Sequence, residues 1–68
     1  MIKIFLNNEL VALPNDYMTV ADLMKWKNIN PQGTAIAIDD KVIRKSAWNV
    51  TKLPPMSHVT VISAAFGG

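Results

Sequence analysis

Few side chains in this sequence can do chemistry by themselves. There is no cysteine, which removes disulfides and thiolate nucleophiles together. The single histidine, His58, has no second imidazole and no thiol to complete a zinc site, and reads as a structural or solvent-exposed residue at the start of a strand. Asp39-Asp40 sits in a turn pattern, where paired acids act as turn formers rather than cation ligands. No Ser-His-Asp set, phosphate loop or paired-carboxylate site is apparent. The chemistry that remains belongs to the last residues. Three glycines occur in the chain, and two of them are Gly67 and Gly68. Glycine has no Cβ, so its backbone can thread a channel too narrow for any other residue. A carboxylate on Gly68 is a competent nucleophile toward the α-phosphate of ATP, and no side chain crowds the acyl-adenylate that results. Chain termini are usually mobile, which suits delivery into another protein's deep site. The tail alone is equally compatible with an inert end.

The elements that must hold such a tail can be read from hydrophobic period. His58 to Ala64 is rich in β-branched residues and reads as a strong final strand. It leads into Ala65-Phe66-Gly67, where Phe66 has the character of an interface anchor. The expected division is a domain over residues 1–64 and a flexible tail over residues 65–68. Ile2 to Leu6 alternates with a period of two, as a half-buried strand does. Asn7-Asn8 tolerates the positive φ of a tight hairpin, and Glu9 to Leu13 is the returning strand, ended by Pro14-Asn15-Asp16. Thr19 and Asp22 have the spacing of a helix cap and its reciprocal partner. Val20, Leu23, Met24 and Lys27 recur at helical spacing, with the Lys27 stem laid on the core edge and Trp26 at the margin. Asn30-Pro31-Gln32-Gly33 is expected to stop the helix. Thr34 to Ile38 is apolar enough for a strand covered on both faces or near the sheet centre. A turn at Asp39-Asp40-Lys41, a short strand at Val42-Ile43-Arg44 and a helical turn at Ser46-Ala47-Trp48 follow, with Trp48 expected to plug the end of the core. Lys52 to Ser57 is a loop stiffened by Pro54-Pro55.

This order predicts an α+β domain, a mixed four- to five-stranded sheet with one main helix packed on one face. The first and last strands are the most hydrophobic and are expected to pair at its centre. By alternation, Ile4, Leu6, Val59 and Val61 face the helix, while Phe5, Thr60, Ile62 and Ala64 face away. The second set is a candidate partner interface beside the tail, although a covering loop or scattered surface apolar residues would give the same pattern.

Composition narrows the class. At 68 residues there is room for one domain, and a hydrophobic share of 50% argues against disorder. The net charge of +2 is small, and the lysines are not clustered densely enough for nucleic-acid binding. No apolar stretch is long enough for a membrane span, and Met1 to Leu6 is followed at once by Asn7-Asn8-Glu9 rather than by the core of a signal peptide. The expected location is the cytoplasm, with neither membrane nor nucleic acid as partner.

The N-terminal hairpin, the Thr19-Val20-Ala21-Asp22-Leu23 helix start, the Ala35 to Trp48 segment and the terminal Gly67-Gly68 together resemble the ThiS family of thiamine-biosynthesis sulfur carriers. The similarity covers nearly the whole chain, and its most discriminating part is Val42-Ile43 and Trp48 combined with Gly67-Gly68. The resemblance implies a ubiquitin-like β-grasp fold and a carrier that is not itself an enzyme and binds no cofactor. A ThiF-like adenylating enzyme would use ATP-Mg to activate the carboxylate of Gly68. Sulfur from a sulfur donor protein would then displace AMP, and the thiocarboxylate would be passed to a ThiG-like thiazole synthase. Where such proteins often show Gly-Asp before the last strand, this chain has Met56-Ser57 after Pro54-Pro55. That departure is expected to alter the loop and not the tail. Three other readings share the sequence: a sulfur carrier for molybdopterin or another pathway, a ubiquitin-like modifier of lysines, and a binding module with an inert tail.

Overall fold

A computed structural model describes residues 1–63. The calls on Ala64, Phe66, Gly67 and Gly68 therefore lie outside the described residues. Five strands and one helix are arranged as β1 (Lys3–Leu6), β2 (Glu9–Ala12), α1 (Val20–Trp26), β3 (Thr34–Ile38), β4 (Lys41–Ile43) and β5 (His58–Ser63). The sheet order is β2-β1-β5-β3-β4. β1 and β5 run parallel at its centre, and the other pairings are antiparallel. This is the mixed sheet expected from the hydrophobic pattern, with the most apolar terminal strands side by side.

Two turns fix the hairpin registers. Asn7 and Asn8 have φ of 49° and 70°, and Asp39 and Asp40 have φ of 49° and 68°. Paired left-handed residues match the right-handed twist of the flanking strands, and Asn and Asp tolerate that conformation best after glycine. Both hairpins therefore close in two residues. The N-terminal ladder is one residue shorter at its open end than alternation suggested. Ile2 and Leu13 fall outside the strands, yet the Leu13 N–H still donates to the Ile2 carbonyl at 2.8 Å.

The helix begins as its sequence requires. Thr19 Oγ1 accepts from the Asp22 N–H at 3.2 Å, and the Asp22 carboxylate accepts from the Thr19 N–H at 3.0 Å. The Thr19 backbone N–H, and the Thr19 hydroxyl beside it, hold the Asp22 carboxyl below its ordinary pKa. The helix ends earlier than Asn30-Pro31 predicted. Asn28 adopts φ of 57°, its N–H donates to Lys25 O at 3.1 Å, and the Ile29 N–H donates to Met24 O at 2.8 Å. That pair of bonds is a Schellman termination with Asn in the left-handed position. A consequence is that Lys27 is the C-cap residue and exposed, so the expected packing of its stem on the core edge is corrected. Its ammonium lies 4.7 Å from the Trp26 ring centroid instead.

Val20, Leu23 and Met24 bury the helix against Ile4, Ile36, Ile38 and Val59. Leu13, Met18 and Leu53 close one margin of this core, and Trp48 closes another. Trp48 follows a single 3₁₀ turn over Lys45–Ala47. It is 6% exposed, and its Nε1–H donates to the Ile43 carbonyl at 2.9 Å. The indole fills the end of the core while its one polar atom is satisfied. β3 buries Ile36, Ala37 and Ile38 in succession but leaves Ala35 exposed, so it owes its apolar run to a place near the sheet centre rather than to cover on both faces.

The loop before β5 keeps a glycine-type backbone without glycine. Met56 has φ of 59°, and the Ser57 N–H donates to Pro54 O at 3.2 Å. With Pro55 second and a left-handed residue third, this has the signature of a type II turn. Met56 N–H donates to Lys3 O, and Phe5 N–H to Ser57 O, so the turn is stitched to β1 on both sides of Met56-Ser57. Ser57 is buried, with its hydroxyl donating to Pro54 O at 2.6 Å.

Candidate functional site: the open face of the sheet

The helix covers one face of the sheet, and strand parity decides which side chains stand on the other. In β5, Val59 is buried and Val61 packs against the core, while His58, Thr60 and Ile62 point away. In β1, Ile4 is fully buried and Phe5 stands beside His58 in the parallel register. Phe5, Thr60 and Ile62 thus share the uncovered face. Ala64 lies outside the described residues.

Register adds residues that the sequence reading did not include. Leu10 pairs with Phe5, Ala37 pairs with both Thr60 and Val42, and Ala35 pairs with Ile62. An apolar band therefore crosses all five strands, with Leu10, Phe5, Ala37 and Val42 in its path and Ile62 beside it. Leu10 is 50%, Ile62 55% and Val42 75% exposed. Large aliphatic side chains gathered on one sheet face, open to water at that level, have the character of a docking surface. The signal for Leu10 and Val42 lay in the period of two of their own short strands, which places each opposite a core-facing neighbour.

Two polar residues of β5 stand in the band, Thr60 opposite Ala37 and His58 beside Phe5. The His58 ring stacks on Phe5, with centroids 4.6 Å apart and planes 10° from parallel. Its backbone is pinned from the β3–β4 turn, since the His58 N–H donates to Asp39 Oδ1 at 2.9 Å and the Asp39 N–H donates to His58 O at 2.8 Å. Asp39 thus acts in the turn and on β5, which absorbs one of its carboxylate oxygens. At the far end of β5, the Val61 N–H donates to Asn7 Oδ1 at 2.9 Å, which ties the strand to the first hairpin turn. Among the described residues no group of three or more His, Cys, Asp or Glu side chains is placed to hold a metal ion, and no helix is long and apolar enough to cross a membrane.

β5 is the strand that runs into the C-terminal residues. The band therefore includes the last described strand, which precedes Gly67-Gly68 in sequence. The family model described as ThiS family matches residues 2–68, a span that includes both glycines. The chain belongs to the ThiS family. Its role at that level is that of a small sulfur-carrier protein of thiamine biosynthesis. The fold agrees. A crystal structure of a thiamine biosynthesis protein (ThiS) from Geobacter metallireducens superposes with a TM-score of 0.84, covering 98% of this chain and 100% of that one at 13% identity. At so low an identity the likeness speaks for the ubiquitin-like β-grasp fold alone. A search of curated proteins returns no match.

Proposed function

We propose that this ThiS-family chain carries sulfur as a thiocarboxylate on Gly68. A ThiF-like enzyme binds the domain and ATP-Mg. The Gly68 carboxylate attacks the α-phosphate, and pyrophosphate leaves. A persulfide sulfur from a donor protein attacks the activated carbonyl, and AMP leaves with the original oxygen. Cleavage of the remaining S–S bond by a second thiol frees the thiocarboxylate, which a ThiG-like thiazole synthase consumes. The chain contributes no catalytic side chain and no cofactor of its own to these steps. Gly67 keeps the thread slim, Phe66 anchors it, and the band of Phe5, Thr60 and Ile62, widened by Leu10 and Val42, is the surface that partners grip, with Ala64 a further contact.

The observation that carries this reading is the family match running through Gly67-Gly68. It is supported by the open apolar face on the strand that leads to them. The test is intact-mass spectrometry of the full chain after incubation with the adenylating enzyme, ATP-Mg and a persulfide donor. Replacement of one carboxylate oxygen by sulfur adds about 16 Da to an acyl carrier of this kind. The shift should vanish when Gly67-Gly68 is deleted. A wild-type chain that stays unmodified beside an enzyme active on another carrier overturns the proposal. Presenting the thiocarboxylate form to thiazole and molybdopterin synthases separates the pathways, because only the cognate synthase should discharge it.

A further inference from the structure

A second surface lies on the helix layer, away from the band. A groove of about 350 Å³ opens between α1 and the segment that carries Trp48. Met24 and Trp48 form its floor, at 4% and 6% exposed, and Ala21, Ile29 and Pro31 form its walls. The volume is within the range of side-chain and ligand pockets. Ala21 keeps it open, since a longer side chain at that helical position would stand in the groove. The early Schellman termination at Asn28 shapes the far end, because it turns the chain so that Ile29 and Pro31 face back toward the helix.

The charges around this apolar slot are of one sign. Lys25 lines it. Lys45 holds its ammonium 5.9 Å from the centroid of the Trp48 ring that makes the floor. Among the described residues the one ion pair joins the N-terminal amine and Asp16, so neither of these two cations has a carboxylate within salt-bridge reach there. The one acid on α1, Asp22, feels Lys25 but directs its hydrogen bonds to the Thr19 cap. We propose that this groove receives a short peptide segment of a partner protein, with one large apolar side chain seated over Met24 and Trp48 and flanking carboxylates paired to Lys25 and Lys45. Nucleic acid fits less well, because two cations make a weak phosphate track. The site shares no residue with the open sheet face, so both surfaces can be occupied at once.

The probe is a synthetic heptapeptide with a central leucine between Asp and Glu residues, titrated into the ¹⁵N-labelled full chain and followed by NMR. Saturable shifts are expected at Ala21, Lys25, Ile29 and the Trp48 indole, with Thr60 and Ile62 unmoved. A counterpart with lysine in place of each acid should not bind. The double variant Lys25→Glu, Lys45→Glu should weaken the acidic peptide by roughly ten-fold, since each rim pair passes from attraction to repulsion. Lys25→Gln should weaken it less, which guards against a folding artefact. The proposal fails if the shifts map to the open face, if the lysine peptide binds as well, if charge reversal changes nothing, or if no saturable shift occurs. It also fails if a single-stranded oligonucleotide moves the same residues more strongly than the peptide.

Discussion

Replacing Met56 by glycine should stabilise this domain, an unusual outcome for a substitution next to a central strand. Met56 holds φ of 59°, a conformation that costs a residue with a Cβ about 1–2 kcal/mol. Glycine escapes that cost but loses more freedom on folding, which returns roughly 0.4–1 kcal/mol to the unfolded chain. The methionine side chain is half in solvent, at 52% exposed, so little burial is forfeited. The net gain is about 0.5–1 kcal/mol. Unfolding entropy near 2.1 cal/mol/K per residue amounts to about 0.14 kcal/mol/K for a chain of 68 residues. The midpoint should therefore rise by about 4–7 °C in thermal unfolding followed by far-UV circular dichroism. Met56→Val supplies the opposite arm, because a β-branched residue is poorly tolerated at positive φ, and it should lower the midpoint. An unchanged or lower midpoint for Met56→Gly would refute the claim that strain resides in this turn.

Three further outcomes follow from other parts of the molecule. Trp48→Phe removes the Nε1–H bond to the Ile43 carbonyl and should cost about 0.5–1.5 kcal/mol, measured by urea unfolding, the net worth of one hydrogen bond to a carbonyl that keeps its place in the β3–β4 ladder. Asp22 has its pKa lowered by the Thr19 backbone and side-chain bonds, so its contribution is present above the unfolded carboxylate pKa and is lost as pH falls through the lower folded value. In Asp22→Asn that part of the acid-side loss should be absent, as read from melting midpoints collected from neutral pH down through the carboxylate range. Ile62→Asp places a charge in the open band at a site already 55% exposed. The fold should persist by circular dichroism while adenylation by the partner enzyme weakens by at least about ten-fold in kcat/KM, and unchanged kinetics would remove that face from the docking surface.

Much of the architecture was legible because local chemistry and global fold agree. Asn7-Asn8 and Asp39-Asp40 announce two-residue hairpins, and the same pairs adopt positive φ. Thr19 and Asp22 announce the capping box that is present. The helix end was misread because Pro31 is a stronger sequence signal than Asn28. The left-handed propensity of asparagine still sufficed once Ile29 had an apolar surface to cover. Position 27 was misplaced for the same reason, since a helix stopped at Trp26 leaves Lys27 no turn in which to lie. In the candidate site, alternation within β1 and β5 identified Phe5, Thr60 and Ile62. Leu10, Ala35 and Val42 follow the same alternation in their own strands, but which neighbours they stand beside is set by cross-strand register, which no single strand encodes. The Phe5–His58 stack was likewise invisible, because it depends on parallel pairing between residues more than fifty positions apart.

The position of β5 between β1 and β3 has a mechanical consequence. Tension applied at Ser63 along the strand axis cannot peel β5 from an edge one bond at a time. It must shear two ladders at once, the parallel one with β1 and the antiparallel one with β3. The bonds to the Asp39 carboxylate at the base of the strand and to the Asn7 amide oxygen near its upper end add cross-ties. A load entering from the C-terminal side is thus spread over the middle of the sheet, leaving the two outer strands as the places where the domain would yield first.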